Sequence, residues 1–207
     1  MVNQEHLCLL KRGVVAWNAW RTQNPGLLPV LAEVDLHDAD LRQAILFNTD
    51  FTNADLHRAI LSEAQLNWST LVGAYLSGAC FVGADLTGVN FSWANLFRAD
   101  LSSANLSWAD LYKANLSEAN LGRANLRQAS MRRASLRRAN LQGADLGGVS
   151  FFEADLRGTI LTETNLIGAD LESTNLKGAL LNGVDLSQVR LCNTTMPDGK
   201  IEYRDCD

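Results

Sequence analysis

The chain has 207 residues, with 18 Lys and Arg against 23 Asp and Glu, for a formal net charge of −5. Mild acidity argues against nucleic-acid binding by the surface as a whole, and no apolar run reaches the roughly 20 residues that cross a bilayer. The length suits one elongated domain, with no composition shift that would mark a linker.

Residues 1–30 read as a capping helix and a connector. Leu7, Leu10, Val14 and Trp17 fall on an i, i+3, i+7 stripe, which predicts a single helix over 4–21. Pro25 and Pro29 lie beyond its end. Such a helix could anchor a membrane or a partner. The reading taken is that it covers the open first turn of the structure that follows, because a bare edge invites aggregation. The start lacks the charged region, long apolar run and small-residue cleavage site of a signal peptide.

From Leu36 to Leu191 every fifth residue is Leu, Phe or Met: 27 Leu, four Phe (Phe51, Phe81, Phe91, Phe151) and Met131. Two residues before each stands Ala, Val, Thr or Ser. A helix cannot use this period, since five residues overshoot a turn by about 140° and spiral the Leu positions around it. A straight strand fails too, because an odd spacing sends successive pairs to opposite faces. The chain must turn a corner once per repeat, with both apolar positions pointing inward, and equal corners close into stacked coils. Four sides make a coil of 20 residues. That folding puts Phe51, Phe91, Met131 and Phe151 in one column and leaves only Phe81 outside it.

The repeats A-D-L-S-S (99–103), A-N-L-S-W (104–108), A-D-L-Y-K (109–113) and A-N-L-S-E (114–118) resemble those of the pentapeptide-repeat family. The resemblance covers about four-fifths of the chain. It implies an all-β solenoid, a right-handed quadrilateral parallel β-helix of about eight coils, over residues 31–196. The stretch L-K-R-G-V-V-A-W-N-A-W-R-T-Q-N-P (10–25) looks like the leaders of cyanobacterial members, and M-P-D-G (196–199) resembles their endings.

Each coil points Leu and Ala inward, so the interior is filled and no cavity for a metabolite is expected. One coil cannot stand alone. Burying a Leu contributes roughly 1.5–3 kcal/mol, whereas ordering each residue costs about 1–2 kcal/mol of backbone entropy. The residue before each Leu is most often Asp or Asn, whose side chains can hold corner amides. Turn chemistry is therefore preferred for them over calcium binding or catalysis. His37 and His57 share a column, but the next residues, Ser77 and Phe97, offer no third ligand, so no metal site is expected. No G-x-S-x-G, P-loop or H-E-x-x-H motif is present. Neither catalytic residues nor a cofactor is expected, and the chain is read as a non-enzyme.

Partner information must then lie in the outward positions. Arg123, Arg127, Arg132, Arg133, Arg137 and Arg138 form a belt in a stretch, 121–140, that holds no acid. They either bind a partner or pair with acids of neighbouring coils such as Glu118 and Glu153. On the face of Phe91, Leu111, Met131 and Phe151 the outward columns read Ser92, Tyr112, Arg132, Phe152 and Trp93, Lys113, Arg133, Glu153. Trp108 stands at the adjoining corner, with Trp68 two coils earlier in its column. Column neighbours are about 4.8 Å apart. Trp93 is thus expected to stack on Lys113, and Tyr112 on Arg132. Trp, Tyr and Arg are enriched at binding hot spots.

Residues 197–207 read as a turn at Pro197-Asp198-Gly199 and a polar tail. Cys8, Cys80, Cys192 and Cys206 show neither metal-ligand spacing nor C-x-x-C. No disulfide is expected from them, and a reducing, cytoplasmic setting follows.

The function expected is a rigid, non-enzymatic interaction module. It docks an unidentified protein through Trp93, Trp108, Tyr112, Lys113, Arg132 and Arg133, as a monomer or a weak end-to-end homodimer. Two other readings stand beside it. Quinolone-resistance members of the similar family imitate DNA and bind gyrase, a topoisomerase, but they tend to be strongly acidic, and this chain has a basic belt. Direct nucleic-acid binding by the belt would fall steeply with salt, and the net acidity argues against it.

Overall fold

The computed structural model describes residues 3–206, so Met1, Val2 and Asp207 at the outer limits of the two terminal segments lie outside the described residues. Two helices come first, α1 (Gln4–Lys11) and α2 (Val14–Gln23). The single helix expected over 4–21 is broken at Gly13, whose φ of 100° no helix accommodates. The apolar stripe survives the break. Leu10 and Trp17 are buried, and Leu7 and Val14 pack against the same core.

The rest of the chain climbs as a solenoid. Parallel bridges join one residue in every five to the one 20 positions later, from Val30 with Asp50 to Asn175 with Thr195. One coil is therefore 20 residues with four sides, as the column pattern requires. Each side is too short to form a strand, and adjacent coils meet through single bridging residues. Corners follow one rule. The amide of the small residue donates to the carbonyl of the preceding Leu, as Ala54 does to Phe51 at 2.9 Å. The residue two places after Leu takes positive φ, from Glu33 at 60° to Asn193 at 52°, with Gln188 the exception. The Asp and Asn columns hold these corners: Asp50 Oδ1 accepts from the Thr52 amide at 2.9 Å, and Asn90 Oδ1 from the Ser92 amide at 2.9 Å. The asparagines also form ladders between coils, with Asn125 Nδ2 donating to Asn105 Oδ1 at 2.9 Å. That is the turn chemistry expected of them.

The core is one continuous column. Phe51, Phe81, Phe91, Met131 and Phe151 are fully buried, as are nearly all the leucines between them. Among the described residues the regularity of the rod lapses near the C-terminal end, where Asn165 is not bridged to Asp185 and Leu181, Val184 and Leu186 are half-buried. Two short antiparallel strands follow, β1 (Thr194–Thr195) and β2 (Ile201–Glu202). Cys192 and Cys206 form a disulfide, with Cα atoms 4.8 Å apart. This corrects the expectation of four free thiols. The tail doubles back through the β1–β2 hairpin and brings together two cysteines that no sequence spacing marks as a pair. It also removes the ground for a reducing, cytoplasmic setting, because disulfides persist in oxidising compartments. Among the described residues no helix is long and apolar enough to cross a membrane.

Candidate interaction surface

Side chains at the positive-φ corners cannot enter the core, so they stand out as ridges along the rod. Three of them are tryptophans: Trp68, Trp93 and Trp108, with φ of 61°, 63° and 63°. All three are more than half exposed, at 61%, 57% and 62%. Trp68 lies flat over Gly88 on the next coil, in space that a Cβ at position 88 would occupy. Glycine at 88 therefore seats this ring.

On the Phe91 face the structure gathers four of the six expected residues. Lys113 Nζ sits 4.0 Å from the centroid of the Trp93 ring. Tyr112 meets the same ring edge-on, with centroids 5.9 Å apart. Arg133 donates from Nη1 to the Tyr112 hydroxyl at 3.4 Å and from Nε to Glu153 at 2.6 Å. The Arg133 hydrogen bonds hold both the Tyr112 hydroxyl and the Glu153 carboxyl below their ordinary pKa values. The same two bonds raise that of Arg133.

Arg132 and Trp108 stand apart from this cluster. The expected stacking of Tyr112 on Arg132 is not formed. Arg132 instead leans along the rod over Phe152, 5.0 Å from its centroid, because corner and wall side chains here tilt toward the following coil. Trp108 occupies the neighbouring corner, and no ring partner is found for it among the described residues. Phe152 is the residue that sequence reasoning placed in the column but not in the site. Its position 20 residues after Arg132 was the available signal.

The arginine belt divides. Arg133 pairs with Glu153, Arg127 with Asp145 at 3.2 Å, and Arg137 reaches Asp155 at 4.0 Å. Glu118 pairs backwards with Arg98 rather than with the belt. Arg123, Arg132 and Arg138 have no carboxylate within ion-pair distance among the described residues, and the 20-residue coil sets them on three different sides. These three unpaired arginines therefore do not line one side. His37 and His57 stack at 5.2 Å, each bonded through Nδ1 to an aspartate, Asp35 or Asp55.

These wall contacts do little for folding. An exposed cation–π pair such as Lys113 on Trp93 contributes about 0.5–1 kcal/mol, and surface ion pairs are worth less. What they do is fix large side chains in place. The result is a preordered cluster of aromatic and cationic side chains on one side of the rod.

The model of the family described as "Pentapeptide repeats" matches the chain in overlapping segments from residue 35 to residue 188. No match is found among curated proteins. Among solved structures, HetL is similar: a pentapeptide repeat protein involved in heterocyst differentiation regulation, from the cyanobacterium Nostoc. It is 31% identical over 89% of this chain and 98% of its own, with a TM-score of 0.43. Rfr23, from the cyanobacterium Cyanothece, is 42% identical over 51% of this chain and 63% of its own, with a TM-score of 0.22. In fold alone the chain resembles QnrB1, a plasmid-mediated fluoroquinolone resistance protein, at 17% identity over 84% of this chain and 86% of that one, with a TM-score of 0.53.

Proposed function

The chain belongs to the pentapeptide-repeat family, whose fold is the right-handed quadrilateral β-helix, and on that premise we propose that it is a non-enzymatic rod that docks a protein partner through the Phe91 wall. The observation that carries the reading is the cluster of Trp93, Tyr112, Lys113, Arg133 and Glu153, locked by mutual contacts while Trp93 stays more than half exposed. Arg132 continues the Tyr112 column one coil on, and Trp108 stands at the adjoining corner. Aromatic anchors beside arginines are the composition of protein hot spots. The filled interior supports a surface function rather than chemistry in a pocket.

The test compares affinity capture by the wild type, by Arg132→Glu with Arg133→Glu, and by Arg123→Glu on another side. A protein retained by the first and third and lost from the second is the expected result. Its retention by all three overturns the site. A supercoiling assay and a low-salt gel shift address the DNA-mimic and nucleic-acid readings, and protection from quinolones or retardation of DNA would favour those instead.

A further inference from the structure

In the body of the rod each coil completes the hydrogen bonds of the one before it. The Leu171 amide, for example, donates to the Arg190 carbonyl at 3.0 Å. The last coil receives this service from the tail. The Leu191 amide donates to Asp205 Oδ2 at 2.9 Å, and the Asp205 amide returns a bond to the Leu191 carbonyl at 3.2 Å. Arg204 Nη2 donates to the Leu186 carbonyl at 2.9 Å and to that of Val189 at 2.7 Å. Residues 201–206 thus act as a partial further coil.

Little apolar burial holds that segment down. Ile201 and Tyr203 are 50% and 58% exposed, and Arg204 and Cys206 are exposed. Besides those hydrogen bonds, a covalent link joins Cys192, half-buried in the last coil, to Cys206.

We propose that Cys192 and Cys206 are a dithiol–disulfide site that latches the C-terminal cap and is opened by a dithiol reductant. The reductant's thiolate attacks the exposed Cys206 sulfur, the Cys192–Cys206 bond breaks, and Cys192 leaves as a thiolate that takes up a proton. The reductant's second thiol gives up its proton and displaces Cys206 in the same way. Two electrons and two protons have then passed to the protein, and the reductant has become a disulfide. With the latch open, the Leu191 amide and the Leu186 and Val189 carbonyls lose their partners to solvent. This inference is independent of the docking wall.

The test uses the full chain in native buffer with dithiothreitol as the probe, read by maleimide labelling with peptide mass spectrometry and by amide exchange. Before reduction, Cys192 and Cys206 should resist labelling, and after it both should label without denaturant. Exchange at Leu191 and Asp205 should rise by roughly a hundredfold, the scale expected when a crosslink closing so short a loop is cut. The Leu111 amide, in mid-rod, should not change. Cys206→Ser should show the fast exchange without reductant and ignore its addition. Labelling of Cys192 and Cys206 in the unreduced chain overturns the proposal. So does reduction that requires denaturant, or exchange at Leu191 that stays within about threefold of its starting rate.

Discussion

The two ends of the rod face the same difficulty and meet it differently. Each terminal coil has backbone groups with no neighbour to pair with, and bare edges are a liability. At the N-terminal end α2 supplies the partners from within the core. Trp17 Nε1 donates to the Ile45 carbonyl at 2.8 Å, and Asn18 Nδ2 to that of Gln43 at 3.0 Å. Arg21, fully buried, donates to the carbonyls of Leu27 at 2.8 Å and Phe47 at 3.1 Å. At the C-terminal end another arginine, Arg204, plays the matching part, but on the surface and secured by a disulfide. One end is closed by burial, the other by a covalent bond. Burial does not depend on redox conditions, whereas a disulfide does.

Trp17→Ala should have the largest effect. Removing a fully buried indole costs about 3–5 kcal/mol, and the Ile45 carbonyl loses its donor as well. Thermal melts should shift down, and amide exchange should accelerate first in the Val30–Asp50 coil. Equal acceleration along the whole rod would mean that the end is not a separate unit.

Cys206→Ser should cost less, about 2–4 kcal/mol, and fray only the last coil. A melt unchanged from wild type would show that the C-terminal end is closed without its covalent bond.

The N-terminal end should also respond to pH. His6 accepts from the Val30 amide through Nδ1 at 3.1 Å, which requires a neutral ring. Burial holds its pKa below the ordinary value. Its contribution is therefore complete above about pH 6.5 and is lost as pH falls through the lowered folded value. His37 has the opposite sign. Its hydrogen bond to Asp35 raises its pKa, so its contribution is complete below about pH 6.5 and is lost as pH rises through the raised value. Melts at about pH 7.5 and about pH 5.5 should fall further on acidification for the wild type than for His6→Gln. An identical fall in both removes His6 from the cap.

The smallest effect belongs to the wall between the ends. Arg132→Glu with Arg133→Glu should leave the melt within about 0.5 kcal/mol of wild type, since those side chains are exposed. A larger loss would make the wall part of the folding problem.

Two contacts of the wall are legible in the sequence. The contact of Trp93 with Lys113 follows from two residues in one column, and so does that of Arg133 with Glu153. The pairing of Tyr112 was not legible. Its expected partner was Arg132, yet it meets Trp93 and Arg133 across the corner, because side-chain tilt selects a diagonal neighbour over the one directly above. The N-terminal stripe is legible in the sequence but its break is not, since Gly13 lies between apolar positions and leaves the periodicity undisturbed.

By itself the sequence determined the coil. A five-residue period repeated from Leu36 to Leu191 specifies the same corner at every step, so local information accumulates into a column address for each outward residue. Only the tertiary structure decided how the rod begins and ends. Neither end repeats, and each takes the shape that satisfies the unpaired backbone groups it meets. The pairing of Cys192 with Cys206 is of that kind: it arises from a hairpin folding back on the last coil, and no spacing along the chain encodes it.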